Sequence, residues 1–381
     1  MIRTLFIAFV GLLLFQSCSN TPPPRTFTEA DYTKFTDSLG FAIRNADTAF
    51  MMAHFNLEQL QDNFVKQIKA SLIAEDQARE LCREEVKSIL ATLAQRPDRE
   101  FFKHLHTARK GDTATYYFRS FHKNRTEYLS VEVVPGTDHL RVSDLMFFNM
   151  GMTFSEMMVD FYRAIFVDNN KLLPGNDALR INSGQVANEL KNIHINLVSR
   201  QYSAVMNDIR RLPSPVQETI IVQQYEMLAC ALTGDSMRAE RLRKRTEGFS
   251  KVKHARCILL YEVYGNTKNY REALNSCDQA EAILKDPMID LFRAPLYVSI
   301  DEFDKAVECL LRAKKATGNE HRQAVYSLLL KLYIFSDDTE KALATANEMV
   351  EIASFARNDL YFYFMQNPDM ARDPRVSKFF D

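Results

Sequence analysis

Tyr270-Arg271-Glu272-Ala273-Leu274 returns as Phe303-Asp304-Lys305-Ala306-Val307 and again as Thr339-Glu340-Lys341-Ala342-Leu343. Upstream, Met237-Arg238-Ala239 and Tyr202-Ser203-Ala204-Val205 are weaker echoes. From Val205 through Ala239, Ala273 and Ala306 to Ala342 the steps are 34, 34, 33 and 36 residues. A fixed period of this size means stacked units, each too small to bury its apolar side except against its neighbours. The small residues Ala273, Ala306 and Ala342 let two antiparallel helices approach closely, while Tyr264, Tyr297 and Tyr333 fill the space between one pair and the next. Short polar connections at Gly265 to Asn269, Ser299 to Glu302 and Ser336 to Asp338 suit helix hairpins. Pro295 falls inside a first helix and predicts a kink or a late start there.

Residue by residue, the third unit carries Cys257, Leu260, Tyr261 and Tyr264 on its first helix and Ala273, Cys277 and Ala280 on its second, with Pro287 closing it. The next offers Ala294 and Tyr297, then Ala306, Leu310 and Ala313; the last offers Tyr326, Leu329 and Tyr333, then Ala342 and Ala346. This pattern resembles tetratricopeptide repeats, over about half of the chain. The resemblance implies an α-solenoid whose first helices line a concave surface for a protein or peptide partner. By the family's register Glu262, Asn266 and Lys331 project toward that surface as partner-binding residues. The last stretch, Asp359 to Asp381, is expected to cap the stack.

The N-terminal half has a different rhythm. Leu57, Leu60, Phe64, Ile68 and Leu72, then Leu81, Val86, Ile89, Leu90 and Leu93, recur at three and four and predict amphipathic helices. After Pro97 the period drops to two. Four strands are predicted, at Phe102 to His104, Thr115 to Phe118, Tyr128 to Val133 and Leu140 to Val142. Turn chemistry separates them at Lys110-Gly111-Asp112, Lys123-Asn124-Arg125 and Pro135-Gly136-Thr137-Asp138. Leu129, Val131 and Val133 share one apolar face, and a change of phase from Leu140 and Val142 to Leu145 and Phe147 points to a β-bulge. Helices followed by an antiparallel meander are similar in pattern to cystatin-like and NTF2-like α+β rolls. Thr153 or Ser155 is placed to cap the following helix.

The chain therefore reads as mainly α with an α+β N-terminal domain: helices plus a four-stranded antiparallel sheet, then the repeats. Residues 28–175 form the α+β domain, 176–358 the repeats and 359–381 the capping segment, with Leu173-Pro174-Gly175-Asn176-Asp177 at the boundary. Ahead of them, Arg3 and the apolar run Leu5 to Phe15 read as a signal peptide over residues 1–17. At about 1.5 Å per residue the run covers roughly 17 Å of a bilayer core about 30 Å thick. Ser17-Cys18 at its end resembles the lipobox of bacterial lipoproteins. That resemblance implies cleavage before Cys18, lipidation of its thiol, and attachment to the membrane of the cell envelope. Residues 18–27, with Pro22-Pro23-Pro24, then form an extended tether.

Composition narrows the function. Of 381 residues 46% are hydrophobic, including 27 Phe and 15 Tyr, which is enough apolar surface to offset the entropy of ordering the chain. With 48 Lys and Arg against 49 Asp and Glu, no general electrostatic case for nucleic acid exists. Eleven Gly and 12 Pro are too few for a turn-rich β-sandwich. Cys82, Cys230, Cys257, Cys277 and Cys309 are odd in number with no C-x-x-C pair, and read as core thiols rather than a disulfide framework or zinc site. His104 and His106 share one face of a predicted strand, as a metal pair does, with His122 on the neighbouring strand; no third or fourth ligand accompanies them, and ordinary sheet histidines are the expectation. No G-x-S-x-G, P-loop, G-x-G-x-x-G or H-E-x-x-H occurs.

Two further features remain. Arg238 to Arg256 is a basic run, read as a solvated helix face, with an acidic partner or lipid head groups as the alternative. Met146 to Met158, rich in Met and Phe, reads as core between sheet and helix, with an adaptable apolar pocket as the alternative. The functional expectation is an envelope lipoprotein that is not an enzyme, needs no cofactor or metal, and binds a protein or peptide partner through its repeats. The alternative is small-ligand binding by a pocket in the N-terminal α+β domain.

Overall fold

The computed structural model describes residues 26–68, 74–95, 102–122, 125–164, 183–250, 252 and 254–380. The signal peptide, Cys18, the stretch 173–177 and the turn residues Lys123 and Asn124 lie outside them. Among the described residues the first four helices are α1 (Glu29–Arg44), α2 (Thr48–Ala53), α3 (Leu57–Ile68) and α4 (Glu75–Ala94). Thr28 caps α1 in a capping box with Asp31, so two orphan N–H groups are satisfied reciprocally.

The sheet is an antiparallel meander in the order β1 (Lys103–Lys110), β2 (Thr113–His122), β3 (Arg125–Pro135), β4 (Leu140–Phe147) and β5 (Met152–Thr153). It has five strands where the sequence predicts four. The fifth has two residues, too few to carry an alternation of period two. Between Glu132↔Asp144 and Val133↔Val142 the register slips, so Ser143 is the extra residue of a bulge and the phase change in β4 is accounted for. Thr153 then caps α5 (Phe154–Arg163) in a second capping box, with Glu156.

One sheet face carries Ala114, Tyr116 and Phe118 with Leu129, Val131 and Val133. All are buried in one core with Phe35 and Leu39 of α1, Phe64 of α3, Val86 and Leu90 of α4, and Met158 of α5. The opposite face carries Tyr117, Tyr128, Met146 and Phe148. It packs on Cys257 and Ile258 of α11 (Cys257–Asn266) and on Ala273, Cys277, Ala280 and Leu284 of α12 (Tyr270–Leu284). The sheet is thus a middle layer with helices on both sides.

The remaining helices are α6 (Ser183–Val198), α7 (Tyr202–Arg211), the short α8 (Ser214–Gln217), α9 (Ile220–Thr233) and α10 (Ser236–Arg245). After α11 and α12, a 3-10 turn (Pro287–Ile289) leads into α13 (Asp290–Val298), α14 (Phe303–Ala316), α15 (Asn319–Phe335) and α16 (Thr339–Glu351). Pro295 lies inside α13, a helix of 9 residues that continues through it from Asp290 to Val298. Val205, Ala239, Ala273, Ala306 and Ala342, the periodic residues, are all 0% exposed.

The connections repeat as well. Arg200, Gly234, Lys268, Asp301 and Asp337, again 34, 34, 33 and 36 apart, are all left-handed, with φ of 61°, 86°, 62°, 61° and 57°. In each case the following N–H donates to a carbonyl five residues back, at 2.8 to 2.9 Å: Gln201 to Asn196, Asp235 to Cys230, Asn269 to Tyr264, Glu302 to Tyr297 and Asp338 to Tyr333. This is a Schellman closure, which satisfies carbonyls the helix end would leave orphaned. Finally α17 (Arg357–Phe364), α18 (Pro368–Ala371) and α19 (Pro374–Phe380) bury Leu360, Phe364, Met370, Val376 and Phe379 against α15 and α16.

Candidate groove and chamber

Two adjoining hollows lie where the helix pairs meet the sheet. The larger, a groove of about 630 Å³, takes residues from the first helix of every pair: Leu197 of α6, Leu228 and Leu232 of α9, Tyr261 and Asn266 of α11, Phe292 and Pro295 of α13, Ala324 and Leu328 of α15. Phe121 and Thr126, from the hairpin joining β2 and β3, also line it. Its aromatic wall is preorganised: Tyr261 stacks on Phe292 with ring centroids 4.9 Å apart, and Phe292 meets Tyr128 edge-on. Behind Phe121 the His321 ring is fully buried, and its Nε2 lies 3.0 Å from the Thr126 hydroxyl.

The smaller hollow, about 280 Å³, is a chamber that shares Leu197, Leu228 and Glu262 with the groove. Its walls come from α4 (Ile89, Leu93), the sheet (Ser120, Glu127, Tyr128, Leu129, Phe147) and α9 (Ile221, Gln224, Tyr225), with Met150 and Met157 added. The Met- and Phe-rich stretch therefore does both things considered for it. Met146, Phe148, Met152 and Met158 are core, while Phe147, Met150 and Met157 face the chamber. Tyr225 is 7% exposed, so burial pushes its phenol above the usual value; its hydroxyl lies 3.4 Å from His194 Nδ1.

One buried cluster fixes the sheet to the helix pairs. Arg119 on β2 is 1% exposed and donates twice from Nη1 to the Asp286 carboxylate, at 2.8 and 3.0 Å; the Tyr128 hydroxyl donates to the same carboxylate at 2.9 Å. Burial and the neighbouring carboxylate hold the Tyr128 phenol well above its ordinary value. His106 donates from Nε2 to the carbonyl of Ile283 at 2.7 Å and adds a second tie.

Glu262 and Asn266 both line the groove, one turn apart, and Asn266 donates from Nδ2 to the carbonyl of Glu262. Lys331 is not brought to them. It continues the Ala324–Leu328 stripe of α15, but there its ammonium lies 5.6 Å from the ring centre of Tyr363 in α17. The expected sharing of a face by His104 and His106 is corrected by a bulge. His104 pairs with Phe118 and His106 with Tyr117, so Leu105 is the extra residue and the two imidazoles point to opposite faces. His104 packs against Phe118 and burial lowers its pKa, while His106 stacks on Tyr117 at 4.5 Å. The side chain of His122 lies outside the described residues.

Among the described residues no group of three or more His, Cys, Asp or Glu is placed to hold a metal ion, and no helix is long and apolar enough to cross a membrane. The five cysteines from Cys82 onward are free and buried. The basic run is tied into ion pairs: Arg238 to Glu226, Arg243 and Lys244 to Glu240, Arg245 to Glu218. Arg256 folds inward to Thr246, donating to its carbonyl and hydroxyl at 2.7 Å. Sequence reasoning missed Phe121, Thr126, Gln224 and Asn149, which no motif marks. No protein-family model, curated protein or solved structure matches the chain.

Proposed function

We propose that this chain is a lipid-anchored recognition protein of the bacterial cell envelope whose tetratricopeptide-like α-solenoid binds an extended segment of a protein partner. The observation that carries the reading is the groove of about 630 Å³ to which the first helix of all five pairs contributes. The five equivalent left-handed turns support a stack of like units rather than five unrelated hairpins. Glu262 and Asn266, with Thr126, Arg200 and Ser299, are polar contacts in a wall otherwise rich in Tyr, Phe and Leu, a mix that suits a segment gripped by shape and a few anchors. A lipidated Cys18 would hold the groove at the membrane, and the reading assigns no catalysis.

The test is selection of random peptides on the full chain, followed by measurement on a variant whose groove is blocked by Asn266→Trp and Ser299→Trp, both exposed positions. Binders should weaken at least about tenfold on the blocked variant. Binders indifferent to the block would refute the groove. Separately, Cys18→Ser should release the protein from the membrane fraction; retention there would refute the anchor.

A further inference from the structure

The chamber and the groove adjoin at Leu197, Leu228 and Glu262, which line both. A segment lying in the groove therefore runs beside a second hollow, and at about 280 Å³ that hollow is nearly twice the roughly 150 Å³ of an apolar cavity that holds benzene. Most of its exposed wall is apolar, from Leu129, Phe147, Met150, Met157, Ile221 and Leu259. The two thioethers adapt to an occupant's shape, and with the Phe147, Tyr128 and Tyr225 rings they offer the edge contacts that an aromatic group favours. Thr92, Ser120 and His194 add polar groups to the same wall. The lining holds Glu127 and Glu262 and, among the described residues, no Lys or Arg, which disfavours an acidic side chain.

We propose that the chamber is the specificity pocket of the groove and takes one aromatic side chain of the bound segment. This rests on the groove reading and adds what that reading leaves open, namely which side chain the segment must carry. A side chain the size of Leu would leave much of the hollow unfilled, and the wall would forfeit those contacts. A basic side chain is the competitor that the two carboxylates admit, but desolvating its head against a mostly apolar wall is costly.

The test has two arms, both on the full chain. In the first, indole alone is added and the methyl resonances of Met150 and Met157 are followed. Both should shift, and neither should do so in Ile221→Trp, which fills the chamber. Thr92→Trp, at an exposed position on the lining, provides the same reading if Ile221→Trp does not fold. In the second, groove-binding peptides selected from a random pool should share an aromatic residue at one position. Replacing it by Ala should weaken binding at least about tenfold on the unaltered chain and change nothing on the filled variant, whereas the groove block Asn266→Trp with Ser299→Trp weakens both peptides. No shift by indole, binders with no common aromatic or with a basic residue in its place, or an Ala effect that persists on the filled variant would overturn the pocket and leave the groove standing. Indole binding without any peptide binder would overturn the groove and the pocket's role in it.

Discussion

Removing the Asp286 carboxylate should uncouple the sheet from the helix pairs. Arg119 and Asp286 are 167 positions apart in the chain, yet each is almost fully buried, and the carboxylate accepts two bonds from the guanidinium and one from Tyr128. It also accepts the N–H of Met288 at 3.2 Å, which starts the 3-10 turn. Asp286→Ala leaves a buried guanidinium without its bidentate partner and a buried phenol without its acceptor. Breaking such a pair costs about 3–5 kcal/mol, a large part of a typical total of about 5–15 kcal/mol. A triple replacement, Arg119→Met, Tyr128→Phe and Asp286→Leu, removes the ion pair and the phenol together and should recover part of the loss, since a packed apolar trio is often as stable as a buried ion pair, while the Met288 N–H still loses its acceptor. Urea unfolding followed by circular dichroism measures both, and a double-mutant cycle between Arg119→Met and Asp286→Ala isolates the coupling. A single-variant loss below about 1 kcal/mol, or a coupling near zero, would refute the view that this cluster fixes the two parts together.

Other expectations are independent of that one. Lys268, exposed and left-handed with φ of 62°, occupies a helix-end position that favours glycine, so Lys268→Gly should raise stability by about 1 kcal/mol in the same urea assay. Burial pushes the thiols of Cys82 and Cys257 up to about 12 and those of Cys230 and Cys309 up to about 11, with Cys277 also raised. Iodoacetamide at neutral pH should therefore leave all five unmodified in the folded chain and label all five in urea, by mass spectrometry. Burial also raises the Asp144 carboxyl above its ordinary value, although the backbone N–H groups of Leu145 and Ser155 and the Ser155 hydroxyl donate to it. The folded state then holds this proton more tightly than the unfolded one, so stability relative to Asp144→Asn should fall as pH rises from the ordinary carboxylate value through the raised one. A rise over that window would contradict it.

How far the chain could be read follows from the range of each signal. Ala239, Ala273, Ala306 and Ala342 were legible as contact positions because helix pairing demands a small residue at a fixed interval, and each is fully buried. The bulge in β4 was legible because it shifts the apolar phase by one. The bulge at Leu105 was not: His104 and His106 look alternate in the sequence, and only their partners on β2 show the extra residue. Glu262 and Asn266 line the groove because the first-helix register is local, whereas Lys331 lies beside Tyr363, a residue from the far end of the chain that no local register records.

By itself the sequence determined the helices and four of the five strands, the period of the second half and its small buried residues, since these depend on spacings of a few residues and on side-chain size. Tertiary structure alone decided that the sheet is buried on both faces, that Arg119 finds Asp286, and that α4, the sheet and α9 wall one chamber. Those outcomes depend on which apolar face removes most surface from water against which other, and that choice is made between segments from tens to well over a hundred residues apart, where no local pattern records it.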